Sequence, residues 1–316
     1  MINKNPQSTI ITITLNPSID KSTTVNRLIP EQKMQCESPR FDAGGGGINV
    51  SKAIKRLEGN SLAIFSSGGA SGELLKQLLK SEAVDFEAIE TKQPIRENFM
   101  VTETTTNAQY RFGMSGPVLL ESEKQQFLDR IQILKPHYVV ASGSLPPKTE
   151  ANFYEKVAAI CKKINAKLIL DTSGEPLRSA CDEGVFLLKP SIVELCALMG
   201  VEHLEMDDVD DAAKTLIGKR KCEKVVVSLG PNGALLVTDK LAKYIPAPTI
   251  QKKSTVGAGD SMVAGMTWAM AQGKNDVEMV CWGVACGSAA TMNEGTQLFQ
   301  KADAVRLYEW VKKHIK

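Results

Sequence analysis

The sequence lacks the features that mark several large classes of protein. Its 7 cysteines include no Cys-x-x-Cys pair and its 3 histidines lie far apart, so neither type shows the spacing of a metal site. No run of about 18 apolar residues is present, and a membrane span is not expected. The formal net charge is only +2, from 38 basic and 36 acidic residues mixed along the chain. The sequence therefore predicts neither a nucleic-acid partner nor a membrane partner.

The first residues of the sequence do not predict a targeting signal. Residues 1–13 contain one lysine, no long apolar core and no small-residue cleavage site, and they lead directly into a strand-like stretch. The cysteines are scattered and odd in number, which is typical of reduced thiols. With 43% apolar and 23% charged residues among 316, the sequence predicts a soluble, cytoplasmic, globular protein with a sizeable core.

What the sequence does contain is a regular alternation of strand-like and helical patterns. Such alternation is typical of βαβ units that build a mainly parallel sheet. We therefore expect an α/β fold in which helices cover both faces of a central sheet. The strand candidates are residues 9–15, 61–65, 138–141, 167–170, 185–188 and 224–228, and the helical candidates include residues 72–81, 152–164, 208–217 and 286–295.

Two segments interrupt this alternation. Residues from about 21 to 41 and from about 96 to 114 carry polar-rich, alternating strand patterns without a helix between them. Because they come from separate parts of the chain, the simplest arrangement is a small β lid on one edge of the central sheet. No linker rich in glycine, serine or proline divides the chain. We expect one domain, residues 1–316, that carries the lid.

Four consecutive glycines stand at positions 44–47, before Asn49 and a helical pattern over residues 51–57. Glycine lets the backbone approach a ligand closely, and the free amides of a helix start can bind oxygen atoms. A structural turn explains the run equally well. The dinucleotide-binding fingerprint explains it less well, since no acidic residue ends a strand near residue 65.

A second glycine cluster, Gly257-Ala258-Gly259-Asp260, comes before a helical stretch of small and apolar residues at 261–271. Amides at a helix N-terminus point outward with the positive end of the helix dipole, so they can stabilise a phosphoryl group in transfer. Asp260 would lie in the first turn, where a carboxylate also serves as a simple cap. The chain has no Walker A loop and no His-Arg-Asp catalytic loop. The hypothesis is therefore a phosphate-binding site of an enzyme family that has neither of these two loops.

Five motifs occur in the order in which one enzyme family carries them, over nearly the whole chain. They are Asn16-Pro17-Ser18-Ile19-Asp20, the run from Gly44 to Asn49, Ser142-Gly143-Ser144-Leu145-Pro146-Pro147, Ser228-Leu229-Gly230 and Gly257-Ala258-Gly259-Asp260. In these motifs the chain resembles the ribokinase-like carbohydrate kinases, also called the PfkB family. Within that family it looks most like the bacterial ATP-dependent 6-phosphofructokinases.

The resemblance implies a ribokinase-like three-layer α/β/α fold with a small β lid. It also implies a glycolytic reaction: transfer of the ATP γ-phosphate to the 1-hydroxyl of fructose 6-phosphate, which gives fructose 1,6-bisphosphate and ADP. The implied cofactors are ATP and Mg²⁺, with K⁺ as a further candidate. The implied partner, besides these small molecules, is a second copy of the chain in a homodimer that forms through the lid.

Carried over residue by residue, the resemblance assigns site residues. Catalysis would use Asp260 as general base and an anion hole formed by Gly257, Ala258 and Gly259. Sugar hydroxyls would bind Asp20, Gly45, Gly46 and Asn49, and the 6-phosphate would bind Lys33, Arg96 and Ser144. ATP would contact Lys189, Ser191, Ser228, Gly230 and Gly233. Glu194 would hold Mg²⁺ indirectly, and a monovalent cation would bind near Ser254, Val256, Ala290, Asn293, Gly295 and Gln297.

The sequence departs from the family pattern at two positions. Ser191 replaces the asparagine of the Asn-x-x-Glu motif, which puts metal handling in doubt. Gln35 stands where a basic residue is usual near Lys33, which puts one phosphosugar contact in doubt. Other functions stay open: 1-phosphofructokinase or tagatose-6-phosphate kinase, a kinase of unphosphorylated sugars or nucleosides, which would not need Lys33 and Arg96, and a non-catalytic sugar-phosphate-binding regulator on the same fold.

Overall fold

The computed structural model describes residues 9–295 and 297–315. The stretch 1–13, which does not predict a targeting signal, lies partly outside the described residues, because it includes residues 1–8. Within the two described ranges, no helix is both long enough and apolar enough to cross a membrane.

The secondary structure alternates as the sequence predicts. The strands are β1 (Ile10–Thr14), β2 (Ser18–Val25), β3 (Arg40–Gly44), β4 (Leu62–Ser67), β5 (Asp85–Glu90), β6 (Arg96–Glu103), β7 (Gln109–Phe112), β8 (Tyr138–Ser142), β9 (Lys167–Asp171), β10 (Val185–Leu188), β11 (Cys222–Ser228), β12 (Gly233–Val237) and β13 (Ala242–Pro246). The helices are α1 (Gly46–Arg56), α2 (Gly69–Ser81), α3 (Glu121–Leu134), α4 (Phe153–Ile164), α5 (Gly174–Glu183), α6 (Ile192–Met199), α7 (Val209–Gly218), α8 (Ala258–Ala271), α9 (Asp276–Thr291) and α10 (Lys301–His314).

The main sheet has the strand order β13-β12-β11-β10-β9-β8-β1-β4-β5. Every pairing from β11 to β5 is parallel, whereas the β11–β12 and β12–β13 pairings are antiparallel. The five apolar or β-branched residues of β1 are all buried, as expected of a parallel strand that is covered on both faces. The predicted α/β fold with a mainly parallel central sheet is confirmed.

Two hydrophobic clusters fill the two faces of this sheet. Ile10 of β1 packs in one cluster together with α1, α8, α9 and α10. Ile11 and Ile13 pack in the other, mainly with α3, α4, α5 and α7. Helices therefore cover both faces, and the carboxyl ends of the parallel strands form a shared edge. In α/β proteins that edge is where ligands bind.

Two helix boundaries differ from the sequence prediction. α1 begins at Gly46 and not after the glycine run, because the packing of its first turn overrides the poor helix propensity of glycine. A Cβ on Gly46 would collide with the side chain of Ser142. The helical pattern expected over residues 286–295 ends at Thr291, where α9 stops, and Gly295 adopts a left-handed φ of 58° in the loop that follows.

The two segments that interrupt the βα alternation contribute to a separate four-stranded sheet of order β3-β2-β6-β7, which we call the small sheet. β2 begins at Ser18, earlier than the expected start near residue 21, so Asp20 lies within this sheet. Residues 26–39 form the connection between β2 and β3. All four residues of β7 are exposed, so one side of the small sheet is open.

Candidate active site

The candidate site lies at the carboxyl ends of the central parallel strands. Asn49 from α1, Ser142 from the end of β8 and Asp260 from α8 are joined there by hydrogen bonds. Asn49 and Asp260 are 211 positions apart in the chain. The fold therefore brings the two glycine clusters of the sequence to one place.

Asp260 lies in the first turn of α8. Its carboxylate accepts hydrogen bonds from Asn49 Nδ2 at 2.9 Å and from Ser142 Oγ at 3.2 Å. Burial raises the pKa of Asp260 to about 6 and the nearby Asp171 carboxylate adds to the rise, while the two hydrogen bonds and Lys189 oppose it. A carboxylate with this pKa is charged at neutral pH and still basic enough to accept a proton, so it suits a general base.

The residues of the predicted anion hole form the start of α8. Gly257 caps the helix with a left-handed φ of 74°, and Ala258 and Gly259 follow in the first turn. Amides in a first helical turn have no acceptor within the helix, so they can donate to an anion. The carboxylate of Asp260 is bonded by side chains of α1 and β8, so it is more than a cap of its own helix.

An ion pair that the sequence analysis missed lies beside the predicted base. Lys189 is 7% exposed, and its Nζ lies 3.1 Å from Oδ1 of Asp171. Burial alone would lower the pKa of Lys189, but Asp171, Glu194 and Asp260 together raise it, so the ammonium stays charged. Asp171 could have been found from its position, because a carboxylate directly after the apolar run 168–170 ends a parallel strand at the ligand-binding edge.

The glycine run at positions 44–47 is required by close packing. A Cβ on Gly44 would collide with the carboxylate of Asp20, and one on Gly46 would collide with Ser142. Gly45 has a positive φ of 119°, which residues other than glycine rarely adopt. The run lets α1 start against β2 and β8, and this contact carries Asn49 to Asp260. The glycine run is therefore required by the packing of the chain, and it also brings Asn49 to the candidate site.

Asp20 is held in the small sheet next to this edge. Its Oδ1 accepts hydrogen bonds from Ser18 Oγ at 2.7 Å and from Asn98 Nδ2 at 2.9 Å. The side chain is only partly buried. The orientation of the carboxylate is therefore fixed at the edge of the cleft, as a ligand for sugar hydroxyls would need, and that role stays a prediction.

Arg96 and Ser144 form a second polar centre. Arg96 donates through its NH2 group to the carbonyl of Asn16 at 3.1 Å and through NH1 to that of Met114 at 3.3 Å. No described residue forms an ion pair with it, and its buried Nε has no partner there. Burial lowers the pKa of Arg96, an effect that Asp20 partly offsets. The exposed Ser144 accepts a 3.2 Å hydrogen bond from Asn16 Nδ2.

Lys33 is not brought to this centre within one chain. It is exposed in the connection between β2 and β3, and so is Gln35. The described part of the chain offers Lys33 no hydrogen bond or ion pair. Its predicted contact with a phosphate stays a prediction.

The residues predicted to bind ATP line the neighbouring strand ends. The amide of Ser228 donates to the carbonyl of Pro190 at 2.8 Å, and this bond joins the end of β11 to the end of β10 beside Lys189. Gly230 and Gly233 adopt positive φ angles of 59° and 110° in the turn between β11 and β12. These residues form one edge at which a nucleotide could lie next to the start of α8.

Ser191 and Glu194 form a reciprocal cap at the start of α6. The Ser191 amide and hydroxyl donate to Glu194 Oε2 at 2.7 and 2.9 Å, and the Glu194 amide donates to Ser191 Oγ at 3.3 Å. Ser191 thus caps the helix, and it also ties the carboxylate of Glu194 to the helix start. Ser191, which departs from the Asn-x-x-Glu motif, therefore holds one carboxylate oxygen of Glu194 with two hydrogen bonds.

The residues predicted for a monovalent cation come together between α8 and α9. Ser254 is 4% exposed, and its Oγ donates to the carbonyl of Gly295 at 2.9 Å. Its amide donates to Thr291 at 3.2 Å, and the amide of Asn293 donates to the carbonyl of Ala290 at 3.2 Å. The Val256 amide donates to Ser254 Oγ at 3.2 Å, whereas the Gln297 amide donates locally, to the carbonyl of Glu294 at 3.2 Å. The donor set consists of backbone carbonyls and one hydroxyl, oxygen ligands of the kind that a hard cation prefers.

The chain is similar to known proteins over nearly its whole length. The chain is 41% identical over 304 residues to ATP-dependent 6-phosphofructokinase isozyme 2 of Escherichia coli strain K12, covering 96% of this chain and 98% of that protein. It is 33% identical over 296 residues to 1-phosphofructokinase of Bacillus subtilis strain 168, covering 92% and 95%.

Solved structures of the Escherichia coli protein match as well. Phosphofructokinase-2 in complex with potassium superposes with a TM-score of 0.93 at 41% identity, covering 96% of this chain and 99% of that one. Its complex with fructose-6-phosphate and its tetrameric inhibited form, 39% and 40% identical with the same coverage, give TM-scores of 0.91 and 0.92. The pattern of the pfkB family carbohydrate kinases matches residues 11–303. This chain belongs to the pfkB family of carbohydrate kinases.

Proposed function

We propose that the protein is an ATP-dependent 6-phosphofructokinase that transfers the ATP γ-phosphate to the 1-hydroxyl of fructose 6-phosphate, giving fructose 1,6-bisphosphate and ADP. The observation that carries the proposal is the pairing of a base with a separate cationic centre. Asp260 stands at a helix start suited to a phosphoryl group, and Arg96 is half-buried and forms no ion pair in the described ranges. A partly desolvated guanidinium of this kind is stabilised by an anion, and the substrate's own phosphate supplies one.

Asp260 takes the proton from the sugar hydroxyl as that oxygen attacks the γ-phosphorus. The hydrogen bonds from Asn49 and Ser142 hold the carboxylate in place for the transfer. The amides of Gly257, Ala258 and Gly259 lie at the start of α8, where the positive end of the helix dipole would stabilise the developing negative charge. Charge stabilisation and positioning supply most of the catalysis in phosphoryl transfer, and a general base adds about 10²- to 10⁴-fold.

The acidic residues beside Lys189 fit a magnesium ion that arrives with ATP. No cluster of three or more His, Cys, Asp and Glu side chains suited to a metal occurs in the part of the chain that the structure describes. Mg²⁺ bound to a nucleotide usually needs only one or two carboxylates besides phosphates and water. Glu194 and Asp171, which both raise the pKa of Lys189, would hold it, and the ion would neutralise phosphate charge.

A K⁺ ion would order the loops that precede α8. The proposed ligands around Ser254 and Gly295 connect to the anion hole through Val256, whose amide donates to Ser254 Oγ at 3.2 Å. The Escherichia coli relative has been solved with potassium. Initial rates with K⁺ should exceed those with a bulky organic cation at matched ionic strength and constant Mg²⁺. Equal rates in the two salts would remove K⁺ from the proposal.

The open side of the small sheet supports a dimer formed through the lid. Large apolar side chains are exposed there, including Phe41, Tyr110, Phe112 and Met114 at 36% to 50%. Exposed apolar surface of this kind often marks a protein interface. We place the protein in the cytoplasm, as a homodimer. Sedimentation of the wild type and of Phe112→Asp tests the interface, since the charge should shift the equilibrium to monomers if the lids pair.

One assay tests the proposed reaction against its alternatives. ADP release is measured with fructose 6-phosphate, fructose 1-phosphate, tagatose 6-phosphate, fructose and ribose as acceptors. We expect the highest kcat/KM with fructose 6-phosphate. A preference for fructose 1-phosphate or tagatose 6-phosphate would reassign the substrate, a preference for fructose or ribose would remove the phosphate-binding role of Arg96, and no turnover with any acceptor would favour a non-catalytic regulator.

A further inference from the structure

Asn16 contacts both Arg96 and Ser144, the two residues of the second polar centre, although neither glycine cluster contains it. It follows the central strand β1, and only 6% of the residue is exposed. Its side-chain Nδ2 donates to Ser144 Oγ at 3.2 Å, and its backbone carbonyl accepts from Arg96 at 3.1 Å. Ser144 comes from the loop after β8 and Arg96 from β6, in the small sheet. One residue in the connection between β1 and β2 therefore contacts two residues from separate parts of the fold.

We propose that Asn16 is a positioning residue, which directs the Ser144 hydroxyl toward the phosphate of the substrate and holds Arg96 beside it. The inference rests on the proposed function, since it concerns how this centre reads a phosphate.

The direction of the hydrogen bond carries the argument. A serine hydroxyl has one proton and can turn to suit its partners. When the amide of Asn16 donates to Ser144 Oγ, it occupies a lone pair of that oxygen and leaves the hydroxyl proton free. The exposed hydroxyl can then donate that proton to an anionic oxygen, which makes a charge-assisted bond. A partner that accepted from Ser144 would take the same proton away from the phosphate.

The surroundings of Asn16 also favour a role beyond folding. Its Oδ1 is buried and has no hydrogen-bond partner in the described ranges. An unpaired buried oxygen costs stability, so such groups in proteins call for an explanation. Gly116 packs so closely on Oδ1 that a Cβ there would collide with it. The packing keeps the side-chain amide in place. Its Nδ2 makes the one side-chain hydrogen bond of Asn16 in the described ranges, and this bond goes to Ser144.

Replacement by aspartate reverses the bond without changing the shape of the side chain. In Asn16→Asp a carboxylate accepts the Ser144 proton and adds negative charge near the phosphate. The KM for fructose 6-phosphate should rise about tenfold or more, the scale of one lost charge-assisted hydrogen bond, and Asn16→Ala should cost about threefold. The kcat, the KM for ATP and the kcat/KM for unphosphorylated fructose should stay within about threefold of wild type.

Two controls separate positioning from folding. Asn165→Asp makes the same chemical change at the C-terminal end of α4, next to the amino end of β9, and should leave the KM for fructose 6-phosphate and the other three constants unchanged. In a Ser144→Ala background, Asn16→Ala should add less than about twofold to the KM, because its effect passes through the hydroxyl that has been removed. This cycle decides the matter if Asn16→Asp does not fold. Full additivity of the two alanine effects would overturn the inference.

The outcomes also distinguish the inference from the proposed reaction. If the wild type does not phosphorylate fructose 6-phosphate, the proposed function fails, and calorimetric binding of fructose 6-phosphate to wild type and Asn16→Asp then tests the inference alone. Binding weakened about tenfold in the variant supports it, whereas equal binding, or no binding to the wild type, overturns it. If the wild type is an active kinase and the aspartate and alanine variants have equal KM values, the inference fails while the function stands.

Discussion

The catalytic edge of the main sheet and the small sheet solve different problems. At the edge, each charged group already has partners in the chain: Asp260 is bonded by Asn49 and Ser142, and Lys189 pairs with Asp171. In the small sheet, Arg96 has only carbonyl partners among the described residues, and β7 is exposed. The main sheet thus orders the charged groups before a ligand arrives, whereas the proposed recognition by Arg96 needs the ligand to complete it.

The largest effect should follow from removing the base at the catalytic edge. Asp260→Asn keeps the shape and a hydrogen-bonding group but cannot accept the proton, so kcat should fall at least about a hundredfold, roughly 3 kcal/mol of barrier. The thermal midpoint should not fall, since the change removes a buried charge whose pKa burial raises. Turnover, ATP binding and melting are measured on the same preparation.

Asp276 provides a matched control for this experiment. It is also a carboxylate in the first turn of a helix, α9, and it pairs with Lys224 away from the cleft. Asp276→Asn should leave kcat within about twofold. If both variants lost activity equally, or if Asp260→Asn kept more than about a third of wild-type turnover, Asp260 would be a cap and not the base.

A smaller effect, confined to phosphorylated substrates, should follow from breaking the recognition region. Arg96→Ala removes a charge-assisted partner from an enclosed site, so kcat/KM for fructose 6-phosphate should fall by about 30- to 1000-fold, or about 2 to 4 kcal/mol. The kcat/KM for fructose, measured in parallel, should barely change. Arg178→Ala is the control, because Arg178 also donates to a backbone carbonyl but lies on α5. Equal proportional losses on both sugars would show that Arg96 only supports the sheet.

The pH dependence sharpens the comparison, because burial at the catalytic edge raises the pKa of Asp260 to about 6. Asp260 must be charged to act, so kcat/KM should be lost as pH falls through about 6 and reach a plateau above it. Asp171 raises the pKa of Asp260, so Asp171→Asn should move this acid limb to lower pH.

Asp182→Asn serves as the reference for that shift. Asp182 pairs with Lys221 on the exposed side of α5, so its removal should leave the limb in place. A limb that stays at the same pH in Asp171→Asn would show that Asp171 does not influence the base, and a limb that moves upward would contradict the proposed electrostatics outright.

The same contrast explains how much the sequence could predict. The strand candidate at 138–141 differs from β8 by one residue, because an apolar run with a buried environment on both faces has a strong local signal. The pairing of Asp171 with Lys189 has no such signal: it depends on β9 and β10 lying side by side, which only the assembled sheet provides. Asn16 stands in a motif of the sequence, but its contact with Ser144 joins positions 128 residues apart, which no local pattern could predict.

The smallest predicted effect concerns the reciprocal cap between Ser191 and Glu194. The Ser191 hydroxyl donates to Glu194 Oε2 at 2.9 Å, in addition to the bond from its amide at 2.7 Å. In Ser191→Asn the side-chain oxygen can still cap the Glu194 amide, but the hydroxyl donor is gone, which frees part of the carboxylate for a metal. We expect the Mg²⁺ concentration for half-maximal rate to fall about two- to threefold with little change in melting temperature. Glu194→Gln replaces the carboxylate with an amide and should raise that concentration. Its effect shows how far the Mg²⁺ requirement moves when the acidic group is lost. An unchanged Mg²⁺ requirement in Ser191→Asn, with a clear increase in Glu194→Gln, would mean that the serine does not limit metal handling at this edge.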